Sequence, residues 1–111
     1  GVAIHDSLNK ITHDVCHAED GIIARTDSVY LKGKRLTARG GWHDAGDYGK
    51  YITTTAVTVA ELLSLAEECS QSLPRLLSDT MAIPESNNGI PDLYDELKVG
   101  LDWMLTMQRP D

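Results

Sequence analysis

Residues 40–69 read GGWHDAGDYGKYITTTAVTVAELLSLAEEC, a bare acidic turn that runs straight into an apolar stretch. The second half decides what this segment is. Ile52, Ala56, Val59, Leu63 and Ala66 recur at helical spacing, which predicts an amphipathic helix over residues 52–69. The β-branched start would suit a strand almost as well. The long apolar second half favours the helix.

Toward the C-terminus, LPRLLSD (residues 73–79) reads as a short helical turn. IPESNNGIPD (residues 83–92) sets two prolines around Asn-Asn-Gly and reads as a loop. Pro91 and Asp92 then start a second helix, expected to run to about Gln108. Leu93, Leu97, Leu101 and Met104 form its stripe. Asp92 and Asp95 suit the positive end of its dipole, and Asp95 and Lys98 are spaced for an i,i+3 pair. Trp103, Met104 and Met107 are expected in the core, as is Cys69 on the helix before.

Toward the N-terminus, AIHDSLNKITHDVCHA (residues 3–18) carries Ile4, Leu8, Ile11 and Val15 at helical spacing. Residues 19–41 are polar, with EDG and LKGKR reading as turns. Segments this long without regular structure are often functional in compact domains. The predicted order is helix, long loop, helix, loop, helix. Two strong helices facing each other leave their outer flanks uncovered, and such a pair expects further neighbours.

A length of 111 residues allows one domain at most. The 41% apolar and 24% charged content is that of an ordinary soluble protein. No apolar run approaches the roughly 18 residues of a membrane-spanning helix, so no membrane partner is expected. GVAIHDSLNK has neither a basic nor an apolar leader region, so no signal peptide is expected within the chain. A formal net charge of -7 argues against nucleic acid as a partner. Two cysteines, Cys16 and Cys69, do not set the redox compartment.

Asp44 and Asp47 carry the chemistry. Aspartate and glycine are turn formers, so a plain turn accounts for the pair by itself. The surroundings add more. Ala45 and Gly46 leave space for close approach to the backbone. Trp42, Tyr48 and Tyr51 offer flat amphipathic faces that suit a sugar ring. Two close carboxylates can hold and deprotonate one water. Next to them, Cys16, His17 and His43 offer thiolate and imidazole, which is zinc chemistry. Three ligands are one short of a structural site. Cys69, His13 or a residue outside the chain are the candidates for the fourth. The plainer alternative is a buried Cys16 acting as a small hydrophobe beside two polar histidines. Glu85, Asn87 and Asn88 could offer oxygens to calcium, but no spaced calcium loop is present and a capped loop accounts for them.

Three motifs in order, GGWHDAGDYGKY, AVTVAELLSLAEE and IPESNNGIPDLYDELKVGLDWMLTMQ, resemble the N-terminal part of the catalytic domain of glycoside hydrolase family 9. These are cellulases and related β-glucanases, and the resemblance runs over about residues 11–111. HDVCHAED resembles the Cys-His element of a subgroup that often carries an immunoglobulin-like domain upstream.

The resemblance implies an all-α fold, the N-terminal portion of an (α/α)6 barrel, with a long loop carrying the catalytic aspartates. Residues 1–111 would be a partial catalytic domain that needs the rest of that domain as its partner. It implies an inverting, secreted hydrolase of β-1,4-glucosidic bonds in cellulose or related β-glucans. Asp47 would be the general base and Asp44 would help hold the water, with Trp42, Tyr48 and Tyr51 on the substrate. The family's general acid is a glutamate far toward the C-terminus. No position here matches it, since Glu19, Glu61, Glu67, Glu68, Glu85 and Glu96 fall in other motifs. The subgroup's structural zinc takes two cysteines and two histidines. Cys16, His17 and His43 fall at matching positions, and the remaining cysteine would lie before Gly1. Calcium belongs to the implied full domain as well. A different class suits the same residues: a non-catalytic, zinc-stabilised glycan-binding module. Activity with the downstream sequence present separates the two.

Overall fold

The computed structural model describes residues 4–6, 9–18, 20–81 and 83–111. Two helices dominate it, α1 over Ile52–Cys69 and α2 over Asp92–Thr106. Both stand where the apolar spacing predicts them. Among the described residues, no helix is long and apolar enough to cross a membrane.

The two helices pack on each other through narrower faces than the sequence suggests. On α1, Thr55, Val59 and Ala66 are buried. Of the predicted stripe only Val59 and Ala66 face inward, while Ile52 and Leu63 are 41% and 39% exposed. On α2 the core residues are Leu97 and Trp103, 1% and 2% exposed. Leu93 and Met104 are half-buried, but Leu101 and Met107 are exposed, and Cys69 is only half-buried. The physical reason is one-sided cover. Each helix is apolar around more of its girth than a single neighbour can bury. The radius of gyration, 16.5 Å, exceeds the roughly 13 Å of a compact chain of this length.

Between the helices, a short 3₁₀ turn over Pro74–Leu77 matches the expected helical turn. The loop after it is built on two carboxylates. Asp79 accepts the backbone N–H of Asn88 and Gly89. Asp92, buried at the start of α2, accepts the Met81 N–H and the Ser86 hydroxyl, each at 2.7 Å. Asn88 donates to Asp95, and Lys98 pairs with Asp102 one turn on. The predicted Asp95–Lys98 pair is thus replaced by a contact that caps the loop.

The N-terminal segment departs from expectation. Among the described residues of this segment, none is helical. Strands β1 (Ile4–Asp6) and β2 (Ile11–His13) pair antiparallel, with Ile4 opposite His13 and Asp6 opposite Ile11. The β-branched Ile4, Ile11 and Thr12 lose rotamer freedom in a helix and favour a strand. Asparagine, the residue at position 9, favours turns over helix interiors, and Lys10 takes a left-handed φ of 56° in the connection. Leu8, part of the predicted stripe, lies outside the described residues, as does Glu19 of the EDG turn.

Residues 21–36 fold back on themselves. Leu36 N donates to Gly21 O, Ile23 N to Lys34 O and Gly33 N to Ile23 O. The LKGKR turn stands as predicted. Arg109 Nη1 then reaches back to Asp27 Oδ2 at 2.8 Å. That guanidinium, with the N–H groups of Tyr30 and Val29, holds the Asp27 carboxyl well below the usual range.

The stretch from Gly40 to Trp42 docks on α2 by a reciprocal fit. Gly41 has a φ of 73°, and a Cβ there would stand 2.5 Å from the Trp103 ring. A Cβ on Gly100 would stand 2.8 Å from the Trp42 ring. Each tryptophan fills the space that a glycine leaves on the facing element. Trp42 Nε1 also donates to Glu96 Oε1 at 2.6 Å. Helix propensity alone favours Gly100→Ala by about 1 kcal/mol. Overpacking against Trp42 opposes it by about 1–3 kcal/mol. We expect packing to win, so that Gly100→Ala lowers the midpoint of chemical denaturation. A raised midpoint would show that the two tryptophans do not interlock as described.

Candidate active site

Asp44 and Asp47 stand on a tight turn at the tip of this docked segment. Asp44 N donates to Gly49 O at 2.7 Å and Tyr48 N to Ala45 O at 3.0 Å. Gly49 N donates to Asp47 Oδ1 at 2.9 Å, which fixes one carboxylate oxygen. Tyr48 takes a left-handed φ of 59°. Such backbone in a non-glycine residue costs of order 1–3 kcal/mol and clusters at functional sites. Both aspartates are exposed. Tyr48 and Tyr51, 53% and 50% exposed, flank the turn in sequence. Trp42, the third expected platform, is half-buried with its ring on Gly100. A groove of about 440 Å³ lies against α2 between Leu73, Leu76, Met81, Ile83 and Leu93. None of the expected site residues lines it.

The expected metal ligands come together across the sequence. Donor atoms of Cys16, His17 and His43 all lie within 4.8 Å of one another. Cys16 Sγ is 3.3 Å from His43 Nε2. A tetrahedral zinc with ordinary Zn–S and Zn–N bonds sets sulfur and nitrogen about 3.5 Å apart. The donor types fit zinc, and the Cys16–His43 spacing is that of two ligands on one ion. His17 has a left-handed φ of 56°. Burial, and next the neighbouring His17, push the His43 imidazole below its ordinary value. A neutral ring is the form that binds metal.

The cluster touches the turn directly. The His43 ring meets the Tyr48 ring edge-on with centroids 4.9 Å apart. His43 precedes Asp44, and Tyr48 follows Asp47. His13, at the end of β2, approaches the same group, its ring 6.0 Å from that of His43.

Three participants were not singled out in the sequence. Glu96 anchors Trp42. Asp20 accepts from His17 Nδ1 at 2.8 Å and pairs with Lys50 Nζ at 2.8 Å. Burial works against the Asp20 carboxylate, but Lys50 and His17 together outweigh it and hold its pKa below the usual range. Lys50 alone left a trace, as the one cation inside the GGWHDAGDYGKY motif.

Comparison with known proteins places this geometry. The glycosyl hydrolase family 9 model matches residues 3–111. Endoglucanase D of Acetivibrio thermocellus is 39% identical over 113 residues, which span all of this chain and 17% of that protein. A metagenome-derived glycoside hydrolase family 9 endoglucanase superposes with a TM-score of 0.90 at 50% identity, over all of this chain and 20% of that one. A Zn-binding triple mutant of the family 9 endoglucanase J30 superposes with a TM-score of 0.82 at 40% identity, over 21% of its length. The match falls on the N-terminal part of (α/α)6 barrel enzymes. The chain thus spans about a fifth or less of these relatives, and it belongs to glycosyl hydrolase family 9.

Proposed function

We propose that these residues form part of an inverting hydrolase of β-1,4-glucosidic bonds in cellulose or related β-glucans. They supply the general base and leave the general acid to sequence outside them. The observation that carries this reading is the family match over the acidic turn, where Asp44 and Asp47 stand together on a surface open to a polymer.

One water sits between the two carboxylates. Asp47 takes its proton while Asp44 orients it, and the oxygen attacks the anomeric carbon from the face opposite the leaving group. The leaving oxygen takes a proton from the acid. An inverting pair of base and acid stands about 6.5–9.5 Å apart, leaving room for that water. Asp44 and Asp47 both serve the water, so neither is the acid. Tyr48, Tyr51 and the half-buried Trp42 border the turn and take the sugar faces. Cys16, His17 and His43 hold a structural zinc with a fourth ligand from outside the chain. Through these residues a bound zinc would cross-link the segment that follows β2 to the stem of the turn, and it would supply no chemistry on the sugar. A secreted enzyme on a polysaccharide is the setting that this activity requires.

Full-length protein should release reducing sugar from soluble β-1,4-glucan, and Asp47→Asn should lower the rate by about 10²–10⁴-fold with zinc content unchanged. Retained activity in that variant sinks the base assignment. Glucan binding without hydrolysis by the unaltered protein would favour the non-catalytic glycan-binding reading.

The depressed His43 pKa gives a direction with pH. Protons compete with zinc for thiolate and imidazole. A histidine lowered from 6.5 stays unprotonated in the folded state while its unfolded counterpart charges. Stability therefore falls as pH drops through that ordinary value. Zinc retained after dialysis at stepped pH should hold at neutrality and decline below about 6.5. Loss that begins well above neutrality would contradict a lowered His43.

A further inference from the structure

We infer that Asp20 and Lys50 are positioning residues that join the metal cluster to the stem of the acidic turn. The inference rests on the zinc reading above. Lys50 is the residue just before Tyr51, and its side chain is only 7% exposed. A buried ammonium is costly unless its donors are met. Lys50 has three donors, and three acceptors surround it: Ala38 O at 2.7 Å, Gly40 O at 3.1 Å and Asp20 Oδ2 at 2.8 Å. It also lies over the Trp103 ring, 5.5 Å from its centroid. The ammonium thereby ties the outgoing end of the turn to the incoming segment at residues 38–40.

Asp20 carries the connection onward. Its other oxygen, Oδ1, accepts from His17 Nδ1 at 2.8 Å. With Nδ1 so engaged, the tautomer is set and Nε2 is the nitrogen left for the ion. A metal-binding histidine is commonly oriented by a carboxylate in this way. One unbroken line runs from His17 through Asp20 and Lys50 to the backbone of Ala38 and Gly40. Lys50 follows the acidic pair in sequence and His43 precedes it, so the cluster reaches the turn by two routes. Neither residue touches substrate in this account. Asp20 sets how tightly the ion is held, and Lys50 sets the direction of Asp20.

The test uses the full-length protein and chelator competition for zinc. Asp20→Asn keeps the shape of the side chain and removes its charge. Zinc affinity should fall about 10–100-fold, and the ligand-field absorption of the cobalt-substituted protein should shift. Lys50→Met should weaken zinc as well, and the double variant should lose no more than the worse single one, because both act through one line. If Lys50→Met does not fold, Asp20→Asn decides the matter alone. Unchanged zinc affinity and an unchanged cobalt spectrum in Asp20→Asn overturn the inference while leaving the metal site standing. Losses that multiply in the double variant also overturn it. An unaltered protein that takes up no zinc overturns the metal reading, and this inference with it.

Discussion

Gly41 and Trp103, Gly100 and Trp42 form two reciprocal contacts on which the rest of the chain depends. In each, an indole ring lies where a side chain on the facing residue would collide. Packed interiors resist the addition of even one carbon, so the segment entering the turn has little freedom in how it meets α2. Glu96 holds the Trp42 N–H, and Lys50 closes the stem. The turn that follows is short and exposed. Within it stand two backbone bonds and one from the Gly49 N–H to the Asp47 carboxylate. The direction of the two carboxylates is inherited from the docked stem. In the role proposed for these carboxylates, a misplacement of about 1 Å can cost about 10²-fold in rate, which would give the docking a functional weight beyond its share of stability.

The metal cluster supplies the second hold. His43 is next to Asp44 in sequence and its ring is against Tyr48, so an ion bound there would act on both ends of the acidic pair. Strained backbone marks the same place. His17 and Tyr48 both take left-handed φ values, and non-glycine residues persist there only when surrounding structure over-determines them. Asp20 lies between the two holds, with one oxygen on His17 and the other on Lys50.

Much of this was legible in the sequence because it is local. The helices follow from apolar spacing, the loop before α2 from its prolines and Asn-Asn-Gly, and the acidic turn from its glycines. The Cys16–His17–His43 cluster was legible through residue chemistry and family resemblance, and the three residues do converge. The first segment was misread because Ile4, Leu8, Ile11 and Val15 fit helical spacing as well as a hairpin, and β-branching decided for the strand. The inward face of α1 was misjudged because burial depends on which neighbour is present, and periodicity cannot say that. Asp20 and Glu96 were not legible, and Lys50 left only its place as the one cation in the GGWHDAGDYGKY motif. The pairs that matter, Asp20 with Lys50 and Glu96 with Trp42, are far apart in the sequence, and only the fold brings them within reach. Gly100 did leave a signal: a glycine inside a strong helix costs stability and usually has a packing reason.

If the acidic turn is held from outside, by the docked stem and by the Cys16–His17–His43 cluster with its ion, loss of the metal loosens it. Amide hydrogen exchange on the zinc-loaded full-length protein, before and after chelation, tests it most directly. The account predicts faster exchange at the Asp44, Tyr48 and Gly49 amides once the metal is removed, with the amides of α1 and α2 unchanged. Turn amides that exchange equally fast in both states would contradict it, and would leave the turn as a self-contained unit that owes nothing to the cluster beside it.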